Sequence, residues 1–421
     1  MRKPRLLLTA PTTSYRLDDF MAAARHLDVE ILLASNRCRK LAALWPDLRS
    51  IPLPFSSPKR AVEQAIALLR EQPVDAVLPV DDEATFLAAM LARKLKLPGN
   101  DPKSTALSRN KFLFRREIAR SGMLSPRYWL LPVDTAPEHA VASKKISLPC
   151  VLKPLALSGS RGVIRANNDT EFVAAFHRIA ALLSQKEFTH KPKRAHQFIL
   201  AETYIQGEEF ALEGLLTNGM LDILTIFDKP DPLEGPFFEE TIYLTPSGLP
   251  PEIQVQLHRS IENACHVIGL RHGPVHAEVR INASGIYVIE MAARTIGGLC
   301  ARTIRLSTDN SLEEMVIQHA LGRPAIPANS PLRASGVMMI PIPKQGILHG
   351  VQGIEAAKAV PGIEDVEITI KEGHLVIPLP DSKSYLGFIF AHGRTTRDVE
   401  RSLRKAHACL SFSIKPSLGV M

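Results

Sequence analysis

From His276 to Thr295 the chain reads HAEVRINASGIYVIEMAART, and its alternation predicts a β-hairpin with one glutamate on the polar side of each strand. Val275, Ala277, Val279 and Ile281 fall on an apolar face, with His276, Glu278, Arg280 and Asn282 on the other. Tyr287, Ile289, Met291 and Ala293 continue the apolar face in the second strand, and Ile286, Val288, Glu290 and Ala292 oppose it. Ala283, Ser284 and Gly285 remain as a three-residue turn ending in glycine. That turn sets Asn282 against Ile286, Arg280 against Val288, Glu278 against Glu290 and His276 against Ala292, with the glutamate Cβ atoms roughly 5 Å apart. Carboxylates so placed repel. A divalent cation turns the repulsion into coordination, and Mg²⁺ favours carboxylate oxygens shared with substrate phosphates. The competing reading is a half-exposed sheet edge on which Arg280 neutralises Glu278.

A chain of 421 residues is too long for one ordinary core and predicts two to four domains. With 45% hydrophobic and 22% charged residues it is globular, and no apolar run approaches the roughly 20 residues of a membrane span. The opening MRKPRLLLTAP is too short in apolar residues for a signal peptide and reads as a first strand. Five scattered cysteines (Cys38, Cys150, Cys265, Cys300, Cys409) lack CxxC spacing, which argues against disulfides or a zinc site and points to the cytoplasm. The net charge of +8 is dispersed, and its densest run, Lys186 to Arg194, reads as a solvated loop. Two tryptophans and six tyrosines offer little stacking surface, so neither nucleic acid nor membrane is the expected partner. The excess suits anionic substrates such as nucleotides.

Residues 1–100 alternate apolar runs (Arg5 to Thr9, Val29 to Ala34, Ala76 to Val80) with helical patterns (Tyr15 to His26, Arg60 to Arg70, Glu83 to Lys94), which predicts a parallel α/β domain. Pro79, Asp81 and Asp82 lie where open α/β sheets bind ligands, and no GxGxxG occurs here. A linking helix is expected over Pro102 to Gly122, within 101–125. Two α+β subdomains follow at 126–205 and 206–325, with strands at Val151 to Lys153, Phe198 to Ile205, Phe210 to Leu216, Leu221 to Phe227 and Thr241 to Leu244. Helices are expected at Asp169 to Leu183, Pro251 to Ile268, Gly297 to Leu306 and Leu312 to Leu321. A proline-bearing linker, Gly322 to Pro331, leads to a C-terminal α+β domain, 332–421, with strands at Gly336 to Ile342, Val366 to Ile370 and Gly387 to Ala391 and a last helix, Thr396 to Leu410.

The loop Leu157 to Val163 (LSGSRGV) follows a strand bearing Lys153, and its glycines let backbone amides approach phosphate oxygens. It is not a GxxxxGK[ST] loop. Lys153 near the end of a buried strand needs a counter-charge, which a nucleotide phosphate or a structural carboxylate supplies equally well. Lys111 lies on the linking helix. Glu202, Gly207 and Glu209 bracket a bend where acceptors suit an adenine amino group and ribose hydroxyls, although such glutamates are commonly just solvated.

These pieces recur in one order in a known family. NKFLFRREIARSG, VLKPLALSGSRGV, LAETYIQGEEFALEG, FDKPDPLEGPFFEE, GPVHAEVRI and VIEMAARTIGG make the chain resemble the ATP-grasp superfamily of carboxylate-amine ligases, nearest the L-amino acid ligase-like branch. The match spans about residues 100 to 300, and GVQGIEAAKAVPGIEDVEI resembles that branch's extra domain. The resemblance implies an ATP-grasp fold, mixed α/β and α+β, with an N-terminal parallel pre-ATP-grasp domain and an appended C-terminal domain. It implies that Lys111 and Lys153 bind ATP phosphates under a mobile loop containing Ser158, Gly159, Ser160 and Gly162. Glu202 with the Tyr204 and Ile205 backbone would hold adenine, and Glu209 would contact ribose. Glu278 and Glu290 would hold two Mg²⁺, with Mn²⁺ as an alternative ion. Arg294 would stabilise acyl-phosphate and tetrahedral species with amides near Gly297 and Gly298, and Lys229 would touch the γ-phosphate. His276, on the same hairpin face, is a candidate to contact the acyl phosphate or accept a proton, although an isolated strand histidine is commonly structural. Ala292 stands where many such enzymes have a further asparagine ligand.

The implied activity is ADP-forming ligation of an amino acid or related carboxylate to an amine, with Glu239 or Glu240 as candidates for a substrate ammonium and a homodimer allowed. The rival readings are a carboxylase or transformylase activating bicarbonate or formate, and an ATP-binding scaffold without turnover.

Overall fold

A computed structural model describes residues 2–14, 16–36, 50–143, 145–189, 193–324, 333–382 and 384–416. Tyr15 at the expected start of the first helix, Cys38, positions 190–192 of the basic run and 325–332 around the expected linker lie outside the described residues.

The first seven labelled elements are β1 (Arg5–Ala10), α1 (Leu17–His26), β2 (Glu30–Ser35), β3 (Ser50–Pro52), α2 (Pro58–Leu69), β4 (Ala76–Pro79) and α3 (Asp82–Leu95). Their strands form a parallel sheet in the order β3-β2-β1-β4. Leu6, Leu7 and Leu8 are all fully buried, because a parallel sheet covered on both faces has no polar side for alternation to serve. The C-terminal edge of β4 runs straight into α3, so Asp82 stands at the mouth of the sheet.

The single linking helix expected over Pro102 to Gly122 is two helices, α4 (Pro102–Ser108) and α5 (Lys111–Arg120). Asn110 breaks it: its backbone is extended, and its side chain accepts a hydrogen bond from the Leu113 N–H at 3.1 Å. A carbonyl-bearing side chain of this kind satisfies one orphan donor of a new helix. Lys111 consequently opens α5, and its N–H donates to the Leu155 carbonyl at 2.8 Å.

Next come β5 (Tyr128–Pro132), α6 (Pro137–Ala142), β6 (Cys150–Pro154), β7 (Ile164–Ala166), α7 (Asp169–Leu183), α8 (Lys186–Thr189) and β8 (Phe198–Thr203). They form a small antiparallel sheet, β5-β8-β6-β7. Phe172, Phe176 and Ile179 of α7 pack against Leu152, Ile199 and Ala201.

The remaining elements are β9 (Glu208–Thr217), β10 (Met220–Asp228), β11 (Ile242–Thr245), α9 (Pro251–Ile268), β12 (Gly273–Asn282), β13 (Gly285–Ala292), α10 (Arg302–Thr308), α11 (Leu312–Ala320), β14 (Ala334–Ile340), β15 (Gly346–Gln352), α12 (Ile354–Lys358), β16 (Ile363–Ile368), β17 (Leu375–Val376), β18 (Gly387–Gly393), α13 (Thr396–Ala408) and β19 (Ser411–Lys415). An eight-stranded sheet runs β13-β12-β9-β10-β11-β14-β18-β16, so the C-terminal strands continue the central sheet through the β11–β14 pairing. β17, β15 and β19 form a separate three-stranded sheet that the sequence pattern did not anticipate. The helix expected from Gly297 starts only at Arg302, because Gly298 takes φ +63° and the preceding residues turn.

α9 opens with Pro251 in its first turn and stops at Gly269, whose φ of +81° is costly for any residue with a Cβ. Its Leu257, Ile261, Ala264 and Ile268 pack against Val275, Ala277 and Val279 of β12. Burying each larger aliphatic side chain is worth about 1.5–3 kcal/mol, and this contact fixes which face of β12 is apolar. His276, Glu278 and Arg280 therefore point the other way, toward a cleft facing the small sheet.

Candidate active site

The hairpin places Glu278 opposite Glu290 and His276 opposite Ala292. The rest of the expected register is corrected. Asn282 pairs with Gly285 and Arg280 with Tyr287, so the turn holds two residues, Ala283 and Ser284. The register then shifts between Glu278 and Val279, leaving Ile289 as an extra residue in β13. A bulge of this kind breaks side-chain alternation locally. Val288 thus joins the α9 core, while Ile289, Glu290 and Ala292 all border the cleft.

One cleft is lined by Lys111, Lys153, Ser158, Gly159, Ser160, Glu202, Tyr204, Ile205, Glu209, His276, Glu278, Glu290 and Arg294. Of the residues singled out from sequence, Gly162, Lys229, Glu239, Gly297 and Gly298 lie outside its lining. Gly162 turns away, with φ +74°, and its N–H donates to the Pro380 carbonyl at 2.8 Å. A Cβ there would meet Pro154 Cγ at 2.8 Å, so the loop closes on β6 only with glycine. Gly159 and Ser160 also adopt positive φ, which points successive loop amides in unusual directions. Lys229 is 2% exposed and sits beneath the cleft floor.

Each cleft cation has a carboxylate. Lys111 donates to Glu290 at 2.8 Å and to the Leu157 carbonyl at 2.9 Å, joining the glycine loop to the hairpin. The counter-charge of Lys153 is a structural carboxylate: Glu202 contacts it at 2.5 Å and receives Arg115 Nε at 2.7 Å. Burial would raise the Glu202 carboxyl, but Arg115 and Lys153 together hold it below the usual range. Arg115 also donates to the Val288 and Ile289 carbonyls at 2.9 Å each, tying α5 to the bulge.

Arg280 does not neutralise Glu278. It donates to Glu209 at 2.9 Å, to the Ile205 carbonyl at 2.9 Å and to the Leu233 carbonyl. The cations nearest Glu278 are His276 at 3.4 Å and Lys229 at 3.8 Å. Burial opposes the charged form of Glu278, yet Lys229 and His276 pull its pKa well below the carboxylate range. Lys229 contacts Glu209 at 2.8 Å and Glu240 more closely still; despite burial, these carboxylates and Glu278 hold it firmly protonated.

His276 is 6% exposed, and its Nδ1 lies 2.5 Å from Glu213 Oε1. Burial would lower its pKa, but Glu213 and the bond to it, together with Glu278, raise it to about 9. Glu213, 1% exposed, also accepts the Ile296 N–H at 3.0 Å. Arg294 donates to Asp82 at 2.9 Å, and despite burial Asp82 raises its pKa further. Sequence reasoning missed Arg115 and Glu213. The lone glutamate in the apolar run FALEGLL was a usable signal, since an ionised group inside a sheet demands a partner.

The carboxylates of Glu278 and Glu290 are 22% and 34% exposed toward the cleft. Two hard oxygen donors on adjacent strands, open on one side, fit a hexacoordinate divalent ion that keeps its remaining positions for water or phosphate. Carboxylate oxygens of Glu209, Glu240 and Glu278 also lie within 4.8 Å of one another, but there the Lys229 ammonium already contacts all three residues.

Three family models match the chain: an ATP-grasp N-terminal domain over residues 21–99, an ATP-grasp domain over 146–303, and L-amino acid ligase C-terminal domain 2 over 338–415. An uncharacterized protein, y4rH, of Sinorhizobium fredii is 26% identical over 327 residues, covering 77% of this chain and 65% of that protein. Dapdiamide A synthase of Enterobacter agglomerans is 27% identical over 239 residues, covering 56% of this chain and 54% of that protein. The chain thus spans between half and two thirds of these relatives. The crystal structure of an L-amino acid ligase from Bacillus licheniformis superposes with a TM-score of 0.83 at 25% identity, covering 99% of this chain and 100% of that one.

Proposed function

We propose that this chain, which belongs to the ATP-grasp superfamily, is an ADP-forming ligase that joins an amino acid or related carboxylate to an amine. The observation that carries the reading is the convergence in one cleft of Lys111, Lys153 and the glycine loop on one side, with Glu278, Glu290 and Arg294 on the other.

In the first step a substrate carboxylate oxygen bonds to the γ-phosphorus of ATP, and the bond to the β,γ-bridging oxygen breaks, giving an acyl phosphate and ADP. In the second, the amine nitrogen bonds to the acyl carbon, inorganic phosphate leaves with the C–O bonding pair, and the nitrogen gives up a proton. Little covalent work falls on the protein, so positioning and charge do most of it. Lys111 and Lys153 bind the phosphates, and the loop from Ser158 to Gly162 covers them and excludes water from the acyl phosphate. Glu202 orients Lys153 and Arg115 at the adenine end beside the Tyr204–Ile205 backbone, and Glu209 faces the ribose. Glu278 and Glu290 would hold magnesium, which when bound would neutralise charge on the transferring phosphoryl group. Arg294 meets the oxyanion of the tetrahedral species, a placement that acts only as that charge develops. His276, protonated near pH 7, serves as a hydrogen-bond donor to the acyl phosphate rather than as a base. Lys229, enclosed by Glu209 and Glu240, holds those carboxylates in place beneath the cleft.

Incubating the protein with ATP, magnesium and paired amino acids, and weighing the products, tests this directly. The expected result is amine-dependent ADP and phosphate with a product equal in mass to the two substrates less water. AMP in place of ADP, or ADP release indifferent to every carboxylate and amine, would overturn it. A carboxylated or formylated product would instead support activation of bicarbonate or formate.

A further inference from the structure

Arg294 needs something to hold it. An arginine side chain carries about 2 kcal/mol of rotamer entropy, so one that acts at a single point in a cleft is useful only if its guanidinium is fixed. Here one fixing group comes from the N-terminal domain and the other from the neighbouring residue. Arg294 Nη2 donates to Asp82 Oδ2 at 2.9 Å across 212 positions, while its Nη1 donates to the Thr295 carbonyl at 2.9 Å. Thr295, 1% exposed, is gripped in turn by Arg16, which donates to its hydroxyl and, at 3.4 Å, to its carbonyl. The same Arg16 donates to the Val80 carbonyl at 3.2 Å and approaches Glu313 at 3.5 Å. Arg16 is 2% exposed, so its charge depends on these partners. Asp82 is the first residue of α3, directly beyond the end of β4.

We propose that Asp82, backed by the Arg16–Thr295 contact, is a positioning residue through which the N-terminal sheet aims the Arg294 guanidinium into the cleft. The role of Arg294 in the reaction rests on the ligase reading, whereas the bracket itself does not. Asp82 touches no reacting atom. Asp82 occupies Nη2 and the Thr295 carbonyl occupies Nη1, while Arg294 still lines the cleft.

Asp82→Asn, in the full chain, keeps the shape and removes the charge. Its kcat for amine-dependent ADP formation should fall about 10- to 100-fold with the KM for ATP within about twofold, since only a contact made late in the reaction is displaced. Asp82→Glu should recover part of that loss. The double variant Asp82→Asn/Arg294→Lys should be no slower than Arg294→Lys alone, because residues acting through one another are not additive. A function-independent readout accompanies these: phenylglyoxal should modify Arg294 severalfold faster in Asp82→Asn than in the parent, by peptide mass spectrometry, with other arginines unchanged. A parent protein without ligase turnover would end the functional reading and leave the bracket to be judged by that modification rate. Parent-like kcat, a multiplicative double variant, or an unchanged rate at Arg294 in folded protein would each overturn the proposal. Should Asp82→Asn not fold, Thr295→Val loosens the bracket from its other end and should accelerate Arg294 modification; an unchanged rate there would also refute it.

Discussion

Glu213 is the buried anion on which His276 depends, and replacing it with glutamine gives a prediction whose size and sign both follow from the structure. The imidazole Nδ1 lies 2.5 Å from Glu213, and the pair sits between β9 and β12. Burial alone would depress the histidine, but Glu213, with Glu278, raises it from 6.5 to about 9. A displacement of about 2.5 units at about 1.36 kcal/mol per unit is worth about 3 kcal/mol. Because the folded pKa is raised, that contribution is fully present below pH about 6.5 and is lost as pH climbs through about 9. Glu213→Gln keeps the acceptor for the Ile296 N–H and removes the charge that stabilises the imidazolium. For a chain of this length the unfolding entropy is about 0.9 kcal/mol/K, so the loss corresponds to about 3–4 °C in Tm. Thermal melts in EDTA from pH 6 to pH 10 measure it. The parent should melt about 3–4 °C above the variant at pH 6, with the gap closing by pH 10. A gap that is constant or widens with pH would refute the assignment of the raised pKa to Glu213.

Other consequences are simpler to state. Glu290→Ala should reduce magnesium-dependent ADP formation at least about 100-fold while shifting Tm little, because the lost partner, Lys111, retains the Leu157 carbonyl; near-parent turnover across a magnesium titration would sink the metal assignment. Lys153→Ala should raise the KM for ATP by about tenfold or more, while Lys186→Ala leaves it within about twofold, and equal effects would count against the phosphate assignment. Asp381 forms an exposed bidentate pair with Arg178 at 2.7 and 3.0 Å, and its carbonyl accepts Arg161 Nε at 3.0 Å. Such an exposed pair is worth about 1 kcal/mol or less, so Asp381→Ala should leave Tm nearly unchanged yet raise the protease sensitivity of the glycine loop. Loss of several kcal/mol in a denaturation experiment would contradict that.

How far the sequence could be read depends on the range over which each constraint acts. The buried strands β1, β2 and β4 and the helix α9 were legible, since their apolar spacing is a local property that tertiary packing reinforces. The break at Asn110 was equally local, an asparagine ahead of a helical run, and merging α4 with α5 overlooked a capping residue rather than a distant contact. The hairpin is more instructive. Its turn is one residue shorter than expected, and the bulge at Ile289 adds one residue back, so the two departures cancel above the bulge and Glu278 meets Glu290. The glutamate pairing was therefore legible while the path to it was not. Bulges respond to sheet twist and to carbonyl partners such as Arg115, which lies 173 positions from Val288. Ion-pair partners were the least legible. Arg280 sits two residues from Glu278 yet pairs with Glu209, and no pattern within β12 distinguishes those carboxylates.

The pairing of cations with anions also bears on how the proposed site would fill. Most of its ion pairs join groups that serve the same part of the cleft, with Glu202 and Lys153 at the nucleotide end, Glu209 and Arg280 beneath it, Glu213 and His276 inside the sheet, and Asp82 and Arg294 at the mouth of the N-terminal sheet. Breaking any of the first three would leave a buried charge uncompensated, which costs about 3–5 kcal/mol, whereas Asp82, 29% exposed, leaves its pair with Arg294 partly screened by solvent. Lys111 and Glu290 differ. They are 11% and 34% exposed, and the proposal gives one to phosphate and the other to metal. On that proposal, nucleotide binding would exchange the carboxylate on Lys111 for a phosphate and the ammonium on Glu290 for a divalent cation. Each charge would end the exchange with a partner of opposite sign, so the cleft would take up a highly charged ligand by exchanging partners at its mouth while its interior pairs stay as they are.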